Sequence, residues 1–429
     1  MSERVFVGMS GGVDSSLSAA LLVEQGLDVT GVYLRTWSRD LPGHRCPWAD
    51  DLADAERVAA RLGIELVVWD CEEEYRRGVV DYLVDSYRRG LTPNPDVMCN
   101  ENVKFGVFAR RAFAEGADYV ATGHYARTAP LGQDAPADLA ARARLVRAAD
   151  EHKDQTYFLW RVDGATLGRT LFPIGGVPTK AQVRDMAAAR GLITADKPDS
   201  QGICFVGPVG LRPFLLDYLD RRPGDIVEWG SGRILGRHEG AFLYTVGQRK
   251  GLDLGGGPAR YVVSVDADSN VVTVTDDPNC PGLWCRELEL TDVRWVNGAP
   301  SEDIYQARCR HTGELTDVEL HVHARPEPQG ELNGEPIGEP APFAASGGPA
   351  VHASMPGELA SPDVPSASIP AASPESSARV TLRFAQPHRT VAPGQSVVLY
   401  EGLTCLGGGV VAHCGEPCDL DSASNGGAR

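Results

Sequence analysis

No stretch of this 429-residue chain is apolar over the ~20 consecutive positions that a membrane span requires. The opening MSERVFVGMS has no secretory leader pattern either. These two absences lead to the expectation of a cytoplasmic protein with no membrane partner. Ten cysteines are scattered from 46 to 418, yet no CxxC pair occurs, which excludes a compact disulfide scaffold and predicts mostly reduced thiols. The nearest approach to a metal cluster, Cys405, His413, Cys414 and Cys418, lacks the paired close spacings of a zinc site. Both common nucleotide signatures, GxxxxGK[ST] and GxGxxG, are missing. Positive charge is short as well, with 41 Lys and Arg against 58 Asp and Glu. The deficit is uneven. Residues 326–378 hold seven acids and eleven prolines and no Lys or Arg, whereas Arg142/Arg144/Arg147/Lys153, Arg249/Lys250 and Arg308/Arg310/His311 form basic groups. A polyanionic partner is therefore allowed without being demanded.

What is present begins with alternation. Strand-like RVFVGM (4–9), DVTGVYLRTW (28–37), IELVVWD (64–70) and DYVATG (118–123) are separated by amphipathic helical patterns over 15–25, 49–63, 71–89 and 101–115. Such β–α repetition predicts an α/β fold whose first unit, residues 1–200, is a Rossmann-like parallel sheet covered on both faces. Past Pro198 the segments become short, β-branched and punctuated by Gly, Asn and Asp. They predict a small β-rich connecting module over 201–278 and an antiparallel β-barrel over 279–414, followed by a flexible tail, 415–429. The Pro/Gly/Ser/Glu-rich run 326–378 has too few large apolar side chains to offset its ordering entropy and reads as a disordered insertion in the barrel.

Directly after the first strand stands SGGVDSS, residues 10–16. A strand, a glycine-serine loop and a helix N-terminus together make an anion site, because the first N–H groups of a helix have no internal acceptor and its dipole favours negative charge. The string resembles the PP-loop of ATP pyrophosphatases, which cleave ATP between its α- and β-phosphates and adenylate an oxygen of a second substrate. Asp14 is then the expected organiser of Mg²⁺ or pyrophosphate. A glycine-rich tight turn that merely starts a helix is the plainer alternative.

Two cysteines sit where no core side chain is needed. TPNPDVMCNENVKFG (92–106) puts Cys99 after a proline-stiffened turn, with Asn100 as the expected helix cap and Asp96 close enough to shuttle a proton. A thiol at a helix N-terminus has its pKa lowered, which favours the nucleophilic thiolate. DSQGICFVG (199–207) carries Cys204 beyond a glycine turn. Cys71 and Cys309, by contrast, read as small buried hydrophobes.

GMSGGVDSS, TPNPDVMCNENVKFG, TGHYAR, KDQTYFL, DSQGICF and YTVGQRKGL occur in the order seen in tRNA-specific 2-thiouridylases, the MnmA family, which this chain resembles from Gly8 to about Asp277 and again in the barrel at YQARCRH and VAPGQSVVLY. The resemblance implies ATP and Mg²⁺ as cofactors, with Gly8, Met9, Ser10, Gly11, Gly12, Val13, Asp14, Ser15, Leu34 and Gly123 around the nucleotide. Leu34 stands where the family often has Met. It implies Asn94, Pro95 and Asp96 against the target base, and His124, Lys153, Asp154, Gln155, Arg308, Cys309 and Gln395 against tRNA. It further implies a persulfide on Cys204, a transient Cys99–Cys204 disulfide, and a cysteine desulfurase or sulfur-relay protein as donor. Two alternatives stay open. A PP-loop ligase of the argininosuccinate or GMP synthetase kind would need neither cysteine, and a non-catalytic ATP- or RNA-binding module would release no AMP.

Overall fold

The computed structural model describes residues 2–40, 46–131, 141–199, 210–323 and 379–418. Cys204, the insertion 326–378 and most of the tail lie outside them.

Strands β1 (Arg4–Gly8), β2 (Asp28–Arg35), β3 (Glu65–Asp70) and β4 (Tyr119–Ala121) form where β-branched and aromatic residues run together. After a hairpin of β5 (Ala126–Pro130) and β6 (Ala143–Arg147), the short β7 (Thr170–Leu171) completes a parallel sheet in the order β3-β2-β1-β4-β7. The first strand is therefore central, and the loop that follows it opens at the carboxyl edge of the sheet, where doubly wound folds bind ligands. Helix α1 (Val13–Glu24) and helix α2 (Trp48–Leu62) pack on one face with Val5, Val7 and Met9. The other face buries Phe6, Val32 and Trp69 under the continuous helices of residues 72–88 and 95–114. Phe6, Trp69 and Phe108 stack there with ring centroids 5.9 Å apart at each step.

Helix 95–114 is wound unevenly. An α-turn, Pro95–Met98, gives way to a wider π-wound stretch, Cys99–Phe108, before α-geometry returns at Ala109. A Cβ added to Gly106 would lie 2.6 Å from the Glu101 carbonyl oxygen, so glycine is what lets the chain close up there. Wide turns of this kind gather at functional sites.

The connecting module is a four-stranded sheet in which β8 (Gly224–Glu228), β9 (Ile234–His238), β10 (Tyr261–Asp266) and β11 (Val271–Thr275) take the order β10-β11-β8-β9. Beyond it, β12 (Trp284–Trp295), β13 (Ile304–Arg308), β14 (Thr316–His323), β15 (Arg379–Arg389), β16 (Ser396–Glu401) and β17 (Thr404–Cys414) follow the order β12-β15-β14-β13-β16-β17, closed by pairing of β12 with β17. Closure removes the free edges. One junction departs from the simple alternation expected of the first 200 residues. The β5–β6 hairpin leaves the parallel sheet and joins the barrel sheet, with Thr404 opposite Val146 and Cys405 opposite Leu145. Among the described residues no helix is long and apolar enough to cross a membrane.

Candidate active site

The glycines of SGGVDSS divide cleanly. Gly11 has φ +71, and a Cβ there would come within 2.2 Å of the Asp51 carbonyl oxygen, so the turn and the close approach of α2 both require glycine. Gly12 has φ −96 and ψ 165, open to any residue, and an added Cβ would meet only Ser10 Oγ at 3.4 Å. Neither backbone geometry nor protein packing explains a glycine at 12. It is the N-cap of α1 and provides no capping side chain, so the first N–H groups of the helix keep the unmet donor capacity of a bare terminus. Gly123 closes the other side, where a Cβ would sit 2.6 Å from Ser15 N.

The serine hydroxyls do something other than expected. Ser15 Oγ and Ser16 Oγ donate back to Gly12 O at 3.2 and 2.8 Å, and Ser10 N donates to Ser15 Oγ at 3.2 Å. They hold the loop's shape. Met9 and Val13 turn their side chains into the core, leaving only their backbone for a ligand. Gly8 ends β1 against Phe108, and Leu34 packs with the Phe6–Trp69 cluster one strand away.

Asp14 is the electrostatic centre. Lys180 Nζ lies 2.7 Å from both of its carboxylate oxygens, and Tyr125 Oη donates to Oδ1 at 2.8 Å. Burial and then the Asp14 charge raise the Tyr125 pKa, keeping it a donor. Lys180 also reaches Asp199, 3.0 Å away, which is bound in turn by Lys153 at 3.0 Å and Arg184 at 2.8 Å. Burial pushes the Asp199 carboxyl up, but the hydrogen bonds from Lys153 and Lys180 outweigh it and hold the pKa at about 2. Sequence reasoning missed Lys180, Tyr125 and Asp199 as site members. Tyr125 and Asp199 lie inside motifs quoted above, whereas Lys180 carried no signal beyond opening a helix capped by Thr179.

The structure corrects the expected cap of the Cys99 helix. The helix starts at Pro95, so Asn94 is the N-cap and Asn100 lies inside, donating to Phe158 O at 3.0 Å. Cys99 is therefore a turn into the helix rather than at its tip, which weakens the dipole argument for its thiolate. It is buried beside Trp69, Val103 and Phe108. Asp96 is half-buried, and burial raises its carboxyl pKa against the opposing pull of Lys104. Cys71 and Cys309 are core thiols, each pushed up to about 12 chiefly by burial.

Comparison with known proteins follows the same arrangement. Residues 3–208 match the family described as the tRNA methyl transferase HUP domain, 212–276 its PRC-barrel domain, and 366–411 an aminomethyltransferase β-barrel domain. A tRNA-specific 2-thiouridylase MnmA of Shouchella clausii is 38% identical over 95% of this chain and 96% of its own length. The one of Aromatoleum aromaticum is 37% identical over 95% and 97%. The chain belongs to the MnmA family. A 4-thiouridine synthetase in complex with RNA and ATP is also similar, but at 17% identity and TM-score 0.29 over 48% of this chain and 45% of that one, which is too slight to weigh.

The residues that MnmA resemblance assigns to tRNA fall into two groups. Lys153 is half-buried and bonded to Asp199 as described. Gln155 Oε1 accepts from Tyr125 N at 2.9 Å, and so braces the partner of Asp14. Asp154 has no exposed side-chain surface. It binds Arg147 Nε and Arg308 Nη1 at 3.1 Å each, joining the first unit to the barrel. His124 is buried against Phe105 and Phe172, with Thr122 Oγ1 at 2.8 Å from Nδ1; burial, then Lys104, lowers its pKa well below 6.5 and leaves it neutral. Cys309 is in the barrel core. Asn94 and Gln395 come together, 301 residues apart in sequence, with Nδ2 of one 3.4 Å from Oε1 of the other. Cys405, His413, Cys414 and Cys418 do not form a metal centre: among the described residues no three His, Cys, Asp or Glu side chains converge on one. Magnesium that arrives on phosphate oxygens needs only one or two protein carboxylates, and Asp14 fits that requirement.

Proposed function

We propose that this chain is an ATP-dependent tRNA-uridine 2-sulfurtransferase that converts the wobble uridine 34 of tRNA to 2-thiouridine, releasing AMP and pyrophosphate. Gly12 carries the reading. It is a glycine with no structural need, at an uncapped helix N-terminus beside the Asp14–Lys180 pair, and a close ligand backbone approach is what remains to explain it. The 36–38% identity to MnmA proteins along nearly the whole chain supports the substrate assignment.

ATP supplies the adenylyl group that turns the uracil O2 into a leaving group, and Mg²⁺ supplies charge for the departing pyrophosphate. The N–H groups of Gly11 to Ser15 bind the phosphates, and Asp14 would hold the metal, with Lys180, already 3.0 Å from Asp199, released from its carboxylate. Asn94, Pro95 and Asp96 border the base, which is flipped from the anticodon stack. Asp96, protonated more readily than an ordinary carboxyl, moves the proton at Cys99. The terminal sulfur of a Cys204 persulfide bonds to C2 as the C2–OAMP bond breaks. Cys99 Sγ then attacks Cys204 Sγ, the S–S bond to the transferred sulfur breaks, and that sulfur keeps the electron pair as the C2 thiocarbonyl. A thiol reductant reopens the resulting disulfide, and a cysteine desulfurase or sulfur-relay protein reloads Cys204. The exposed Arg310 and the half-buried Lys153 supply positive potential for the phosphates of the RNA, while Arg308 stays buried on Asp154. With this reading we assign catalysis to residues 1–200, a connecting role to 201–278 and anticodon docking to 279–414.

The test is nucleoside mass spectrometry of wobble positions in cells lacking the gene. Complementation with the native chain restores 2-thiouridine, whereas Cys99→Ser and Cys204→Ser each lower it at least ~100-fold and leave ATP affinity of the purified proteins within about twofold. Retained thiolation in either variant rejects the mechanism. A methylated uridine formed from a methyl donor would instead favour the reaction named in the family descriptions.

A further inference from the structure

The loop that delivers Cys99 is not held by its own helix. Four of its contacts run to the barrel segment of residues 393–396. Thr92 N donates to Pro393 O at 2.7 Å, and Gln395 Nε2 donates to Thr92 O at 2.9 Å. Ser396 N donates to Asn94 Oδ1 at 2.6 Å, and Asn94 Nδ2 to Gln395 Oε1 at 3.4 Å. Gly394 has φ +92 and lies so close that a Cβ would be 2.9 Å from Thr92 N. From the connecting module, Thr245 Oγ1 stands 3.1 Å from Thr92 Oγ1. Three units of the chain thus converge on one threonine, seven residues before the cysteine.

Resting on the function proposed above, we propose that residues 393–396 form a clamp that positions the Cys99 helix, with Gln395 bridging Thr92 and Asn94 of its own chain. Both functional ends of the Gln395 amide are engaged inside the protein. Its donor meets a main-chain carbonyl of the loop. Loss of that donor leaves Thr92 O without its side-chain partner and lets the loop open more often. A buried thiol reacts only during such openings, so the modification rate of Cys99 reports the clamp without turnover, nucleotide or RNA.

The measurement is the rate of Cys99 alkylation by N-ethylmaleimide in the full-length, RNA-free protein, quantified on the Cys99 peptide by mass spectrometry. Gln395→Met, which keeps the length and removes both hydrogen bonds, speeds alkylation about tenfold. Thr245→Val, cutting a single contact, gives a smaller rise of about threefold. Circular dichroism melts confirm that both variants fold. An unchanged Cys99 rate in folded Gln395→Met overturns the proposal. Failure of the sulfurtransferase reading would be seen separately, as absent 2-thiouridine in the native chain.

Discussion

The phosphate loop and the Cys99 loop are held in place by opposite means. The phosphate loop holds itself. Its strand is central in the sheet, its serines donate to Gly12 O from three and four residues away, and Gly11 fixes its turn. The Cys99 loop is held from far along the chain, by Gln395 and Ser396 some 300 residues on, and Arg161 adds a further tie by bridging Glu101 and Asp292 at 2.5 and 2.6 Å. A self-contained loop can be rigid before its ligand arrives. A loop held by another domain can be set or released by whatever that domain binds.

The widest gap between neighbouring positions lies inside the first loop. Gly12→Ala is expected to melt within about 2 °C of the native chain and to weaken ATP by about 30-fold, the scale of one or two lost charge-assisted hydrogen bonds. Gly11→Ala costs ~2 kcal/mol or more, since it meets both a left-handed backbone and Asp51 O, and lowers Tm by about 5 °C. Calorimetric melts and ATP titrations on the pair decide the matter. Early melting of Gly12→Ala would make its bareness structural and remove the main support for a phosphate site.

Asp96 sharpens the comparison from the second loop. Its folded pKa is raised, mainly by burial, so the folded state binds its proton more tightly than the unfolded chain does. The sign follows: stability is greatest below the unfolded carboxyl pKa, falls as pH rises toward the folded value, and stays lowered above it. Asp96→Asn removes that loss. At pH 8 its Tm rises by about 2 °C, a gain that disappears near pH 3, while 2-thiouridine formation drops about tenfold. A loop stabilised by its catalytic carboxylate, with Tm falling in Asp96→Asn at pH 8, would contradict this account.

How much of this was legible in the sequence follows the same division. The strands of the parallel sheet and the loop after β1 were readable because each depends on residues within about twenty positions of one another. Asn100 misled because Pro95 starts the helix earlier, and a proline at the first helical position is itself a sequence signal. The β5–β6 hairpin, Lys180 opposite Asp14 and Gln395 over Thr92 were not readable. Strand register across 258 to 260 residues (Val146 to Thr404 and Leu145 to Cys405) and a lysine 166 residues from its carboxylate leave no periodicity. Asp154 carried a polar label that only burial could qualify, whereas Cys309 was readable as a small buried hydrophobe.

The smallest expected effect concerns the insertion. It falls between β14 and β15, whose ends pair directly, His323 opposite Arg379. Those strands are held by their own register from Val318–Phe384 to that last pair, and the clamp over Thr92 arises later, between Val391 and Ser396. Deleting residues 328–376 leaves six residues to join the hairpin and removes six of the seven acids of residues 326–378 without touching either loop of the site. Turnover is expected within about twofold of native and Tm within about 2 °C, because so little apolar surface is lost. A faster Cys99 alkylation in the deletion protein would mean that the barrel's grip depends on its insertion, and the division between a self-held loop and a loop held by the folded barrel would have to be redrawn.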